Sequence, residues 1–141
     1  MMSGHWILLV LEDNLFPEES LCCAVKLAKR MNAWVSILML PGKVVDAPPY
    51  DGEFDIMMKE AVERIVMEGV HAEGEFKYGD KASAFLKHLA IKPSLRAIVW
   101  GGSYGIEAKS MKKRENHWFL KVKSAIQCPV VRPVLKAKTI G

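Results

Sequence analysis

The chain has 141 residues, of which 50% are hydrophobic and 26% charged, with a net charge of +4. This size and composition predict one globular domain over residues 1–141. The longest apolar run, residues 6–11, is too short to cross a bilayer, and no basic segment precedes it as in a signal peptide. We therefore expect a cytoplasmic protein without a membrane span.

Five segments have the pattern of β-strands. Residues 6–11 are a continuous apolar run, as expected of a strand that is buried on both faces, and residues 34–40 are predicted to be a second buried strand. Residues 71–79 are more polar, which suits the edge of a sheet. Residues 97–100 and 128–134 complete the set.

Helical patterns lie between these strands. Asn14 or a neighbour can cap the first helix, and Asn32 suits its exit. Residues 54–69 form the second helix, Asp80 caps the third, and residues 117–126 form the fourth. In the first helix Leu21, Val25, Ala28 and Met31 recur at helical spacing, and in the second Phe54, Met57, Ala61 and Ile65 share one face. The third helix carries Phe85, Leu86 and Leu89, and the buried side of the fourth is expected to hold Trp118, Val122, Ala125 and Ile126.

The alternation of strands and helices predicts an α/β fold, a doubly wound five-stranded parallel sheet of the flavodoxin-like kind. Ligands of such sheets bind at the carboxyl ends of the strands, near the point where the strand order reverses. The positions to inspect are therefore Glu12 and Asp13, Leu40, residues 79–80 and residues 101–105.

An acidic pair after the first strand is also typical of phosphorylation-receiver domains, where it helps to hold Mg²⁺. A receiver needs, in addition, a phosphoacceptor aspartate at the end of its third strand. The local match is ILMLPG, where Leu40 and its neighbours offer no carboxylate, and it follows a single helix. We reject the receiver interpretation for this reason.

Four segments in chain order carry a resemblance to a known family. They are ILLVLEDNLFPEESLCCAVKLAKRMNA, YGDKASAFLKHLA, AIVWGGSYG and AIQCPVVRPV. Together they resemble the universal stress protein family over residues 6–134. The resemblance implies an adenine-nucleotide alpha-hydrolase-like sheet in the order 3-2-1-4-5. It also implies that Glu12 stands where the family usually has an aspartate that contacts adenosine, and that Lys81 replaces a proline.

Only the first half of the family's phosphate-binding motif is present in this sequence. ATP-binding members carry Gly-x2-Gly, nine residues, and then Gly-Ser or Gly-Thr, because glycines let backbone N–H groups approach phosphates. Residues 102–105 supply the first half, whereas the second register falls on Glu115-Asn116 or on Asn116-His117. Asn116 can adopt left-handed backbone angles and His117 can donate a hydrogen bond, so ATP is a possible ligand, and no cofactor is predicted with certainty. The candidate site is Glu12, Asp13, Leu40, Gly102, Ser103, Gly105, Asn116 and His117.

The resemblance implies a stress-response or signalling module that is a homodimer, and the incomplete motif indicates that its nucleotide pocket is degenerate. The apolar last strand lies at an edge in this sheet order, so Val130, Val131 and Arg132 are expected to pair with a second copy. One alternative is an ATP-binding member with weak ATPase activity, although no catalytic set can be assembled. Another is a nucleic-acid or anion binder that uses the basic C-terminal third, residues 106–141, an interpretation that rests on charge alone. Within it, Lys109, Lys112, Lys113 and Arg114 could gather phosphates.

Overall fold

The computed structural model describes residues 4–42, 52–92, 94–101 and 118–133. Its elements are β1 (Trp6–Glu12), α1 (Glu18–Met31), β2 (Trp34–Gly42), α2 (Glu53–Met67), β3 (Ala72–Tyr78), α3 (Lys81–Ile91), β4 (Leu95–Trp100), α4 (Trp118–Val122) and β5 (Val130–Val131). All strand pairs are parallel, in the order β3-β2-β1-β4-β5. The predicted sheet and its strand order are confirmed.

The central strands β1 and β2 are buried on both faces, as predicted for residues 6–11 and 34–40. Along β1, Ile7, Leu9 and Leu11 pack on the face covered by α1 and α2. Leu8 and Val10 pack on the opposite face, with residues of α3 and α4. Since side chains alternate along a strand, the next residue on this second face is Glu12. The carboxylate of Glu12 therefore lies at the carboxyl end of β1, next to the hydrophobic core.

The start of α1 differs from the prediction that Asn14 or a neighbour caps it. The helix begins at Glu18, and its N-cap is Pro17, with ψ at 134°. Asp13 and Asn14 have φ of 56° and 57°. The Leu15 N–H donates to the Glu12 carbonyl at 3.1 Å, which closes a tight turn between β1 and the helix. Asn14 is therefore a turn residue, because two left-handed residues in succession cannot begin a helix.

The predicted face of α2 is observed: Ala61 and Ile65 are buried, and Phe54 and Met57 are half-buried. Met58 is buried as well, because Gly74 on β3 leaves room for its sulfur. The predicted buried side of the fourth helix is wrong at one position. After Val122 the chain tightens into a 3-10 turn, Lys123–Ala125, in which the Ile126 N–H donates to the Lys123 carbonyl at 3.1 Å. Tightening by one residue turns Ala125 to solvent, contrary to prediction.

The two edges of the sheet match their predicted character. β3 is polar, and among the described strands it pairs only with β2. β5 is shorter than the predicted segment and pairs through Val130 and Val131 with Ile98 and Val99 of β4. Within the described chain, no helix is long and apolar enough to cross a membrane.

Candidate functional site

The carboxyl ends of β1, β2 and β4 meet at one edge of the sheet, as predicted. Glu12 pairs in register with Leu40, and the Asp13 N–H donates to the Leu40 carbonyl at 3.2 Å. At the end of β4, the Gly101 N–H donates to the Val10 carbonyl at 2.9 Å. The structure therefore brings Glu12, Asp13 and Leu40 together.

Glu12 is the buried acid of this edge. Its side chain is 3% exposed. The Lys81 ammonium donates to Glu12 Oε1 at 2.9 Å, and the Trp118 indole N–H donates to the same oxygen at 3.1 Å. The carboxylate is thus bound from two sides by groups of its own chain, one charged and one neutral.

Asp13 is the exposed acid of the pair. Its φ of 56° places it in the left-handed region, which aspartate tolerates better than most residues. The Lys81 ammonium donates to its Oδ1 at 3.0 Å, while the side chain remains 52% exposed. Glu12, Asp13 and Lys81 together carry two negative charges and one positive charge.

Lys81 is positioned by the start of α3. Asp80 caps this helix as predicted, and its carboxylate accepts from the Ser83 N–H at 2.9 Å. Lys81 is then the first residue of the helix, and its side chain reaches back across the sheet edge. The lysine stem packs beside the end of β2, where a Cβ at Gly42 would lie in ordinary contact with the Lys81 Cε at 3.4 Å.

The charge of Lys81 is stabilised by its partners. Burial by itself lowers the pKa of this ammonium, but the hydrogen bonds to Glu12 and Asp13 and the charges of these acids outweigh it. The pKa of Lys81 therefore lies above its ordinary value of 10.5. A lysine that stays charged is a poor nucleophile and a good counter-ion.

Three aromatic side chains, Phe85, Trp100 and Trp118, pack together next to Glu12. The Trp118 ring lies 5.4 Å from that of Phe85 and 5.1 Å from that of Trp100, centroid to centroid. Phe85 is fully buried, and Trp100 is nearly so. This packing fixes the indole whose N–H binds Glu12. The predicted core position of Trp118 is thus a half-buried one at the rim of the core.

Sequence reasoning did not place Lys81 or Trp118 in the site. Their hydrogen bonds to Glu12 span 69 and 106 residues of chain. A usable signal was the position of Lys81 at the start of a helix, directly after the capped turn at a strand end. Gly102, Ser103, Gly105, Asn116 and His117 lie outside the described residues, as does the basic segment 109–114.

The described cluster has the chemistry of a recognition site. It offers a buried carboxylate, an exposed carboxylate, an ammonium and an indole edge. No group of His, Cys, Asp and Glu side chains in the described part of the chain is arranged to hold a metal ion. Cys22, Cys23 and Cys128 are free thiols.

No protein-family model matches the chain, and no curated protein matches it. Solved structures do match. A protein of the universal stress protein family from Burkholderia pseudomallei is 20% identical, with a TM-score of 0.59 over 94% of this chain and 98% of that one. A universal stress protein from Archaeoglobus fulgidus is 16% identical, with a TM-score of 0.58 over 92% and 95%.

A third solved structure is a universal stress protein in complex with cAMP. It is 13% identical and has a TM-score of 0.61 over 91% of this chain and 97% of that one. At such identities the similarity establishes the fold. The chain has the fold of the universal stress proteins, in agreement with the resemblance of its four sequence segments.

Proposed function

We propose that the protein is a non-enzymatic module of the universal stress protein type, which acts in stress response or signalling. We further propose that it has a degenerate adenine-nucleotide pocket at the carboxyl ends of β1, β2 and β4. The fold supports the class, although a fold by itself does not determine function. One solved protein of this fold is described in complex with cAMP, which motivates the choice of ligand.

The observation that carries the degenerate pocket is the state of Glu12. Its Oε1 accepts from both Lys81 and Trp118, at 2.9 and 3.1 Å. A nucleotide that uses this carboxylate has to replace these donors or share the oxygen with them. The incomplete glycine motif of the sequence acts in the same direction, because it removes backbone donors for phosphate.

Calorimetric titration tests the proposed pocket. For both MgATP and cAMP we expect a Kd weaker than about 1 μM, which corresponds to less than about 8 kcal/mol of binding free energy. Any residual binding should change in Glu12→Gln, which keeps the shape of the side chain and removes its charge. Sub-micromolar affinity in the wild type would show that the pocket is not degenerate.

We also propose that the protein is a homodimer through Val130, Val131 and Arg132. β5 pairs with β4 on one side, and both of its valines are half-buried. An edge strand presents unpaired backbone N–H and C=O groups that can pair with another chain, and apolar side chains favour such pairing.

Sedimentation tests the proposed dimer. We expect the wild type to sediment as a dimer and Val131→Asp as a monomer, because an aspartate in the pairing strand loses apolar contact and gains repulsion across the two-fold axis. Ile56→Asp is the control: Ile56 is 58% exposed in the first turns of α2, where a negative charge is favourable. A Val131→Asp protein that stays dimeric would place the interface elsewhere.

A further inference from the structure

The inward face of α3 contains a histidine that the site does not use. Lys81, Phe85, His88 and Lys92 follow one another at spacings of four, three and four residues, and such positions share one side of a helix. His88 is 1% exposed, as deeply buried as the neighbouring core. Neither of its ring nitrogens has a hydrogen-bond partner among the described residues. Burying the polar nitrogens of an imidazole without hydrogen bonds costs free energy, and burying the charged form costs more, so the neutral form is favoured.

The edge strand β3 supplies charged neighbours of His88. The Nδ1 atom of His88 lies 3.5 Å from Glu75 Oε2, and this same oxygen lies 3.1 Å from the Lys77 ammonium. Lys92, which follows the last residue of α3, contacts Glu73 Oε2 at 2.6 Å. The charged groups that act on the imidazole are thus Glu73, Glu75 and Lys77 from β3 and Lys92 from the end of α3.

Packing on the other face of β3 explains this arrangement. Ala72 and Phe76 contact the core beneath α1 and α2, and Gly74 faces Met58 of α2. By alternation, Glu73, Glu75 and Lys77 lie on the α3 side of the strand. Helix α3 therefore contacts the edge strand largely through polar groups.

These groups do not compensate a charge on His88. Burial is the largest influence and lowers its pKa below the ordinary 6.5. The carboxylates of Glu75 and Glu73 oppose this effect, while the cations of Lys92 and Lys77 add to it. Because burial is the largest of these influences, it decides the direction.

We propose that His88 is a proton-sensitive joint between α3 and the edge strand β3, closed while the imidazole is neutral and loosened when it takes up a proton in mildly acidic solution. This proposal does not depend on the proposed nucleotide pocket, because its evidence is the set of contacts between β3 and α3. Helix α3 nevertheless begins with Lys81, so loosening it also weakens the hold on Glu12.

The sign of the pH dependence follows from linkage. The imidazole binds its proton more weakly in the folded protein than in the unfolded chain. Its contribution to stability is complete above the unfolded value of about 6.5 and is lost as the pH falls toward the lower folded-state pKa. Carboxylates add their own losses at lower pH, so a variant without the imidazole is needed for comparison.

Urea unfolding at pH 7.5 and 5.5 measures the contribution of His88. We expect the folded-to-unfolded ratio of the wild type to fall about tenfold more between these values than that of His88→Leu, which cannot take up the proton. Equal losses in the two proteins would overturn the proposal. If His88→Leu does not fold, an NMR titration of the wild-type His88 ring decides, and a midpoint at or above 6.5 contradicts the proposal.

Hydrogen exchange measures the loosening itself. After correction for intrinsic rates, backbone amides of residues 72–92 should exchange faster at pH 5.5 than at pH 7.5 in the wild type. In Glu75→Gln, which removes the nearest carboxylate, the ring should titrate at a still lower pH. Unchanged exchange in a wild type whose His88 ring has taken up its proton would show that the joint does not open.

Discussion

Lys81→Met is expected to lower the free energy of unfolding by about 2–4 kcal/mol at pH 7, because it leaves the carboxylate of Glu12 buried without its counter-ion. Glu12 is 3% exposed and Lys81 20% exposed, so solvent screens this pair little. Methionine keeps most of the length of the side chain, and the loss therefore reports the charge. Urea denaturation of the two proteins measures the difference.

Two further variants isolate the buried charge. Asp13→Asn removes the exposed acid, which is 52% exposed, and should cost less than about 1 kcal/mol. Lys81→Met combined with Glu12→Gln should recover at least half of the loss, since no buried charge then remains. If Lys81→Met costs no more than Asp13→Asn, the lysine does not hold the site together.

Alkaline pH should remove the same contribution. The pKa of Lys81 is raised in the folded protein, so the stabilisation is complete below the unfolded value of about 10.5 and is lost as the pH rises through the folded-state pKa. The difference in stability between wild type and Lys81→Met should therefore be constant near neutrality and shrink above about pH 10.5.

Phe85→Ala is expected to cost about 3–5 kcal/mol of unfolding free energy, as removal of a fully buried aromatic ring leaves a cavity. Phe85 is 0% exposed and lies between α3 and the sheet, with its ring 5.4 Å from that of Trp118. The cavity should also loosen the indole that donates to Glu12. Thermal and urea unfolding measure the first effect.

The neighbouring residue provides the control for this prediction. Leu86 is 40% exposed on the same helix, and Leu86→Ala should cost about 1 kcal/mol or less. A Phe85→Ala protein as stable as Leu86→Ala would mean that α3 does not pack on the sheet as described.

The sheet was predictable because its signals are local. A continuous apolar run marks β1, a mostly apolar run interrupted by Ser36 marks β2, and a polar run marks the edge strand β3. Asp80 was recognisable as a helix cap from its side chain and position alone. The start of α1 was not, because a tight turn at Asp13 and Asn14 competes with capping for the same residue types.

The site was half predictable for a related reason. The end of the first strand locates Glu12 and Asp13 in the sequence. Lys81 and Trp118 lie on other helices, 69 and 106 residues from Glu12, so the sequence does not show that they contact it. His88 was missed because the inward face of α3 mixes charged and apolar residues, so that hydrophobic periodicity does not reveal it. The buried face of such a helix can be identified only when the strand that packs against it is known.

A crystal structure of the protein grown with excess MgATP at neutral pH tests the central claim most directly. We predict that the Lys81 ammonium and the Trp118 indole remain within hydrogen-bond distance of the Glu12 carboxylate, with no nucleotide on that acid. A structure in which Lys81 has turned away and Glu12 contacts a bound nucleotide would contradict this account.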